Sequence, residues 1–567
     1  VDEEMKEVLT VCPFCGCGCG IYLTGENGII ARVTPSLSNP VSKGSLCIKG
    51  WHISEVFTSP NRIQKPLIKV NGSFKEISWE EAFELISLKF NSIKDKENSF
   101  GIIGSSKFSN EDSYTLHKFA RQIIKTNNID SSFTLHYAPL IERLNDFDFY
   151  VTINDIENSD LIIIIGSNIT VEAPQIARRV LKAYDKGAKV VVINSLKIPF
   201  SSIASIYIQP VPEELSVLIE TLGKIINKKS YDKSNSNIFK LEEIASLYVK
   251  AQNPVCICGE DVFKGVKGGA SFSSIFEIFK HRLFPLFTIN NIIGAISFGV
   301  SPYVNEKKGL NIIEMLNASL EGSIKCLYII GEDILLSAGD YNRTREALEK
   351  LEFLVVQDLF LTETALLADV VLPACSSLEK KGSFINMEGS IQPVLPVLKP
   401  LGDSKPDWQI FTELSEKLGN KLFYKDFDEI TKEIEKINFL KNKKFLQAEV
   451  SHLGDVISDE FPLWAKVDNS RLFFHTGTLL KNSSTLMREI EQGTVIINSE
   501  YAKENDIRNN EKVKIISKRG EIIRNAVISD EVLKNIILVR GGLGDFSSNV
   551  ILPFGLKWTT VRLEKSR

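Results

Sequence analysis

The stretch Asp160-Leu-Ile-Ile-Ile-Ile-Gly-Ser-Asn168, followed by an amphipathic run and then Ala188-Lys-Val-Val-Val-Ile-Asn194, decides the fold class. Two short aliphatic runs rich in β-branched residues read as strands buried on both faces. The segment Ala173 to Lys186 between them carries helical periodicity, so the unit is strand, turn, helix, strand. The same alternation extends from Ser78-Trp-Glu-Glu81, a capping box that starts a helix, to about residue 225, and again from about 255 to 440. Doubly wound α/β layers are expected. Past residue 455 short β segments with turns at Lys518-Arg-Gly520 and Gly541-Gly542 predict a C-terminal β-barrel.

At 567 residues the chain exceeds a single core. Boundaries are expected at 1–58 for a small cysteine-rich domain and at 59–130 with 320–450 for a discontinuous α/β domain. A second α/β domain of dinucleotide-binding type would span 131–319, and the barrel 455–567. Asn71-Gly72 should turn a hairpin, and the polar segment 228–237 should be a surface loop. The 67 Lys and Arg nearly balance 71 Asp and Glu, which gives no general case for nucleic acid or acidic membrane. No apolar run approaches the roughly 20 residues of a membrane helix, and no leader precedes the first cysteine, so a cytoplasmic location is expected.

Five of nine cysteines crowd into Cys12-Pro-Phe-Cys15-Gly-Cys17-Gly-Cys19 and Cys47. A disulfide framework would spread them out. Cys12, Cys15, Cys19 and Cys47 supply the four thiolates of a 4Fe–4S cluster, one per iron. Four thiolates also suit tetrahedral zinc, but zinc sites usually pair two CxxC units, whereas here three thiols cluster and one is distant. Cys256, Cys258, Cys326 and Cys375 sit in or beside apolar stretches and read as ordinary buried thiols.

The cysteine pattern with Leu46-Cys-Ile-Lys-Gly50 resembles the molybdopterin oxidoreductase family, in particular the formate dehydrogenase large subunit. The resemblance continues through Asn110-Glu111, Thr126-Asn-Asn-Ile-Asp130, Gly166-Ser-Asn168, Gly331-Glu-Asp333, Gln357-Asp358, Ala368-Asp-Val-Val-Leu-Pro373 and His475-Thr-Gly-Thr478. It implies bis-molybdopterin guanine dinucleotide with molybdenum or tungsten. The implied cofactor-binding residues are Gly166, Ser167, Asn168, Gly331, Glu332, Asp333, Gln357, Asp358, His475, Thr476, Gly477 and Thr478. Lys49 would relay electrons between cluster and pterin; its bland reading is a solvated surface lysine. Read as a bare motif, Gly166-Ser-Asn168 is also compatible with an ordinary turn.

The reactive positions depart from the resemblance. Where the family carries its metal-binding Cys or selenocysteine followed by His, this chain has His136 and Tyr137; where it carries an active-site Arg, this chain has Phe287. Imidazole is a neutral ligand unlike thiolate, and Phe cannot hold a carboxylate as Arg does. His136 reads either as a metal ligand or as a hydrogen-bonded pocket histidine. The dinucleotide contacts are thinned as well, with Asn194-Ser-Leu196 in place of Asp-Pro-Arg. The stretch Glu379-Lys-Lys-Gly to Asn386-Met-Glu-Gly-Ser-Ile-Gln392 is similar to the large iron–sulfur subunit of NADH:quinone oxidoreductase. Together these features point to an iron–sulfur electron-transfer subunit with a replaced substrate centre. Its partners would be redox subunits carrying flavin or Fe–S clusters, ferredoxin- or NAD(P)-linked. The alternatives are an active molybdenum or tungsten oxidoreductase with an unusual His136 site, and a scaffold with a structural cluster.

Overall fold

A computed structural model describes residues 6–93, 95–141, 143–147, 149–265, 268–304, 307–420, 424–436, 455–468, 474–488, 493–541 and 548–566. The chain is a mixed α/β protein built from a small N-terminal sheet, two doubly wound sheets and a closed barrel. The N-terminal sheet is an antiparallel meander of Lys6–Val11, Gly20–Glu26 and Ile29–Pro35, and the cysteine loop connects its first two strands.

The five-stranded parallel sheet runs Ile206–Ile208, Lys189–Ile193, Leu161–Ile165, Pro254–Cys258, Leu283–Pro285. Every residue of Leu161–Ile165 and Pro254–Cys258 is buried, as the uninterrupted apolar runs require. Strand order reverses between these two, so a crevice opens at their carboxyl ends. The helix expected over 173–186 is two helices, Ile169–Glu172 and Pro174–Asp185. Pro174 sits at the first position of the second, where its missing N–H costs nothing.

The seven-stranded sheet places Phe100–Gly104 beside Cys326–Ile330 at its own reversal point, with Phe353–Asp358 and Val370–Pro373 on one side and Ile129–Ser131 on the other. Its edge is the hairpin Leu67–Val70 and Ser73–Glu76, turned by Asn71 and Gly72, both at positive φ. The helix Trp79–Ser92 starts with the reciprocal Ser78–Glu81 capping box.

Six strands close the barrel: Leu463–Asp468, Ile536–Arg540, Thr494–Ile497, Glu521–Ile528, Lys512–Ile516 and Trp558–Lys565, in that order. Val513, Ile515, Val495, Val539 and Val561 point inward at the period of two. The Lys518-Arg-Gly520 turn joins two barrel strands; Gly542 of the other expected turn lies outside the described residues. Residues 228–237 form a loop, and Cys256, Cys258, Cys326 and Cys375 are buried. Among the described residues no helix is long and apolar enough to cross a membrane.

Candidate functional site

The cysteine loop folds back on itself through the Cys12 N–H donating to the Cys19 carbonyl at 2.9 Å. Cys12, Cys15 and Cys19 are buried, and Cys47, partly exposed, begins the short helix Ile48–Trp51. The thiols lie within electrostatic reach of one another. Burial and then the charges of Cys12, Cys15 and Cys47 push the Cys19 thiol up; burial, Cys47 and Cys15 do the same to Cys12. Cys15 is drawn down to about 6, first by the Cys17 thiol that donates to it and further by Lys49. Buried thiols that oppose one another's ionisation call for a cationic core among them, which the irons of a cubane supply. No group of three His, Cys, Asp or Glu among the described residues closes on a single-ion site. A cubane binds one thiolate per iron and does not need such convergence.

The glycines of this loop serve packing against distant segments. A Cβ on Gly16 would lie 2.9 Å from the Phe287 side chain, and one on Gly18, at φ +72°, would lie 2.0 Å from Gln392 Oε1. Gly16 donates its N–H to the Phe287 carbonyl at 3.1 Å and accepts from the Met387 N–H at 2.7 Å; Gln392 Nε2 donates to the Gly18 carbonyl at 2.9 Å. The segment leading to Cys47 is held by the helix Pro174–Asp185. Arg179, fully buried, donates to the Val41 carbonyl at 2.7 Å and pairs with Glu157 at 2.5 Å, while Gln175 exchanges hydrogen bonds with Ser45. Arg179, Gln175 and Gln392 carry no local sequence signal for this role, because their partners are distant in the chain.

Lys49 is 3% exposed, so the solvated reading is wrong. Its charge reaches Cys12 and Cys15, and it also lines a cleft of about 110 Å³ together with His136, Glu172, Glu260, Lys264 and Lys557. This cleft opens at the reversal point of the five-stranded sheet. Gly166, at φ +58°, turns the chain at the end of Leu161–Ile165, and across the crevice a Cβ on Gly259 would lie 2.3 Å from that of Ser167. Without a side chain, Gly259 lets its backbone pack directly against the Ser167 and Glu172 side chains, which draws the two loops together at the crevice. A second cleft of about 530 Å³ shares Asn168, Val171, Lys466 and Asp468 with the first and continues past Asn194 to Lys197 and Arg540. Lys197 directly follows Leu196, which stands at the position of the lost arginine. Arg540 comes from a barrel strand, out of reach of any local motif.

Glu172 and Glu260 frame the first cleft. The Asn168 N–H donates to Glu172 at 2.9 Å, and the Glu260 N–H donates to the same carboxylate at 3.2 Å. Glu260 in turn holds Lys264 at 2.7 Å, Lys557 of the barrel, and the Thr288 hydroxyl at 3.0 Å. Asp261 pairs with Lys466 at 2.8 Å and accepts from the Trp558 indole at 3.2 Å.

His136 lies on the helix Ser132–Ile141, one residue before a kink at Tyr137 and three before Pro139. It is 7% exposed, borders the cleft, and its Nδ1 has no hydrogen-bond partner among the described residues. Burial, and then the charge of Lys264, hold it well below the usual imidazole range, so it is neutral. Tyr137 points away, fully buried, with its hydroxyl donating to the Leu286 carbonyl at 3.3 Å. Its ring meets Phe287 edge-on.

At the reversal point of the seven-stranded sheet, Ser105 donates to Glu332 at 2.9 Å across the crevice. Asp333 accepts from Thr364 at 2.7 Å and from Thr478 at 2.9 Å, and His475 Nε2 lies 3.2 Å from Ser132 and 3.8 Å from Glu332. Burial raises Glu332 to about 7 and Asp358 to about 6, against the opposing charge of Lys107. Thus Gly331, Glu332, Asp333, Asp358, His475 and Thr478 gather, and His475 and Thr476 also border the first cleft. Gly477 turns at φ +80° between them. Gln357 is turned into the interior instead, between Tyr328 and Asp407.

Residues 62–417 match Molybdopterin oxidoreductase, residues 5–58 the Molybdopterin oxidoreductase Fe4S4 domain, and residues 468–560 the Molydopterin dinucleotide binding domain. The chain belongs to the molybdopterin oxidoreductase family. Similar family members include the F420-dependent formate dehydrogenase subunit alpha of Methanocaldococcus jannaschii, 32% identical over 97% of this chain and 96% of that protein. Another is the putative formate dehydrogenase YrhE of Bacillus subtilis, 29% identical over 94% of this chain and 65% of that protein. Acetylene hydratase from Pelobacter acetylenicus shares the fold, with a TM-score of 0.76 at 15% identity over 99% of this chain and 100% of that one. As a molybdopterin oxidoreductase of formate dehydrogenase-like type, the chain carries both an Fe4S4 domain and a pterin dinucleotide-binding domain.

Proposed function

We propose that this chain is an iron–sulfur electron-transfer subunit of a redox complex, built on the formate dehydrogenase scaffold with the formate centre replaced. The observation that carries the reading is the packing of Tyr137 against Phe287, centroids 5.4 Å apart. By the family resemblance these two positions would hold a His and an Arg. A carboxylate substrate needs a charge-assisted fork there, and two aromatic rings in contact offer neither charge nor space.

The residues present fit the two cofactors. Cys12, Cys15, Cys19 and Cys47 would hold the cluster, which supplies one-electron transfer. The crevice at Gly166, Ser167, Asn168 and Gly259, continued to Lys197 and Arg540, would hold a pterin dinucleotide, and the group around Glu332, Asp333 and His475 lies at the corresponding crevice of the other sheet. Lys49, buried between the thiols and the cleft, excludes water and supplies one fixed positive charge to both. Redox partners would be separate subunits, by analogy with relatives named subunit alpha.

A second reading has one specific support. The unpartnered Nδ1 of His136 at the cleft wall suits an imidazole ligand to molybdenum or tungsten, in an oxidoreductase with chemistry other than the family's thiolate site. Metal and pterin analysis of the purified protein separates the two. Iron near four per chain with neither molybdenum nor tungsten supports the electron-transfer reading. Stoichiometric molybdenum or tungsten that is lost from His136→Ala while iron stays supports the second.

A further inference from the structure

Of the four cysteines read as cluster ligands, Cys12, Cys15 and Cys19 are buried and Cys47 alone is partly exposed. The surface around Cys47 is apolar. Ile48 and Trp51 lie three positions apart on one short helix and both are exposed, Trp51 to 45%; the Trp51 N–H donates to the Cys47 carbonyl at 3.2 Å. Leu37, 84% exposed, is folded back onto the same segment. The Gly44 N–H donates to the Ser36 carbonyl at 2.9 Å, and a Cβ on Gly44 would lie 2.5 Å from Leu37 Cδ2. A tryptophan and two aliphatic side chains held in water beside a partly open ligand suit the centre of an interface.

The border of this face is basic. Lys43, Arg179, Lys182 and Lys186 lie within 3.8 Å of a single carboxylate, Glu157, and Arg178 donates to the Ser45 hydroxyl and to the Ser42 carbonyl at 3.5 Å. Asp155 and Asp185 stand on the same two helices as Glu157 and Arg178, so five cations face three carboxylates.

We propose that Leu37, Ile48 and Trp51, around Cys47, form the docking centre for an acidic iron–sulfur protein that exchanges single electrons with the cluster. The inference rests on the electron-transfer reading above and adds the place and the charge of the partner. Tunnelling rates fall steeply with distance, so the partner must seat its own centre against the open ligand. The apolar side chains exclude water there, and the basic border steers an acidic rim into register. In the exchange one electron leaves the partner's reduced centre and enters the oxidised cluster, with no bond formed or broken and no proton moved.

The test titrates the purified, cluster-bearing protein with an oxidised plant-type 2Fe–2S ferredoxin, a small acidic one-electron carrier, by calorimetry. Wild type is compared with Trp51→Gln, Leu37→Gln and Leu88→Gln, the last an exposed leucine on the helix Trp79–Ser92. Wild type and Leu88→Gln should bind alike, and Trp51→Gln and Leu37→Gln at least tenfold more weakly. Wild-type affinity should fall at least tenfold from about 50 to about 500 mM salt. Dithionite reduction of the same samples, followed by absorbance, reports on the cluster itself. A reducible wild type that does not bind ferredoxin, variants at Trp51 and Leu37 that bind as wild type does, or an affinity indifferent to salt would overturn the proposal alone. A cluster that dithionite cannot reduce would overturn the electron-transfer reading and the proposal with it.

Discussion

The ring of Tyr137 meets that of Phe287 edge-on, at 5.4 Å and 77°. Phe263 also packs on Tyr137 at 4.8 Å, and the Phe287 backbone carbonyl receives the Gly16 N–H of the cysteine loop at 3.1 Å. Tyr137 and Phe287 therefore form a packed aromatic joint that also supports the cluster loop.

Truncating this joint should be costly. Phe287→Ala should destabilise the protein by about 3–5 kcal/mol in denaturant unfolding, the range for a buried Phe cavity. Tyr137→Phe, which removes the hydroxyl bond to the Leu286 carbonyl and the one accepted from the Thr288 N–H, should cost about 0.5–1.5 kcal/mol. A cost near zero for Phe287→Ala would mean that the ring does not pack as described.

Arg179 tests the support of the Cys47 segment. Arg179→Met leaves Glu157 without its closest cation and the carbonyls of Pro40 and Val41 without a donor. Because Lys43, Lys182 and Lys186 still flank Glu157, the cost is that of the unmade hydrogen bonds, about 1–3 kcal/mol. Cluster absorbance should bleach faster in the variant than in wild type when both are challenged with a chelator, although Arg179 is not a ligand.

Stability should fall as pH rises from about 6.5 to 8, because below that range His136 and His475, held neutral by burial, oppose the raised carboxyls. Burial raises Asp130 to about 7, and burial with the Glu260 charge raises Glu172 to about 8, from usual values of 3.8 and 4.5. Across that window the native state holds protons that the unfolded chain has lost, so each such group removes up to about 1.4 kcal/mol per pH unit as pH rises. Urea unfolding at several pH values should show this slope, and Glu172→Gln should flatten it. A Glu172→Gln profile superimposable on wild type would contradict the assignment.

The sequence carried the layered architecture well, because buried parallel strands such as Leu161–Ile165 are unbroken aliphatic runs and the barrel strands alternate. The capping box at Ser78 and the hairpin at Asn71-Gly72 were legible for the same reason: both are local. Motif residues at the ends of strands fell at the two reversal points because the chain order of the strands dictates where the crevices open. What was not legible was long-range. Nothing near Glu260 announces that Lys557 will pair with it, and nothing near Gly18 announces Gln392. Cys17, outside the expected ligand quartet, donates to Cys15, a contact that the spacing does not announce. Gln357, expected at the cofactor, instead bonds Asp407, whose approach depends on the packing of the helix Asp407–Lys417.

The central claim is that the cluster works while the formate centre does not. Formate-dependent viologen reduction by the anaerobically purified protein, with its cluster shown to be reducible by dithionite, tests it most directly. The account predicts a reducible cluster that is lost in Cys47→Ala and no dye reduction driven by formate. Formate-driven reduction that disappears in His136→Ala would contradict it.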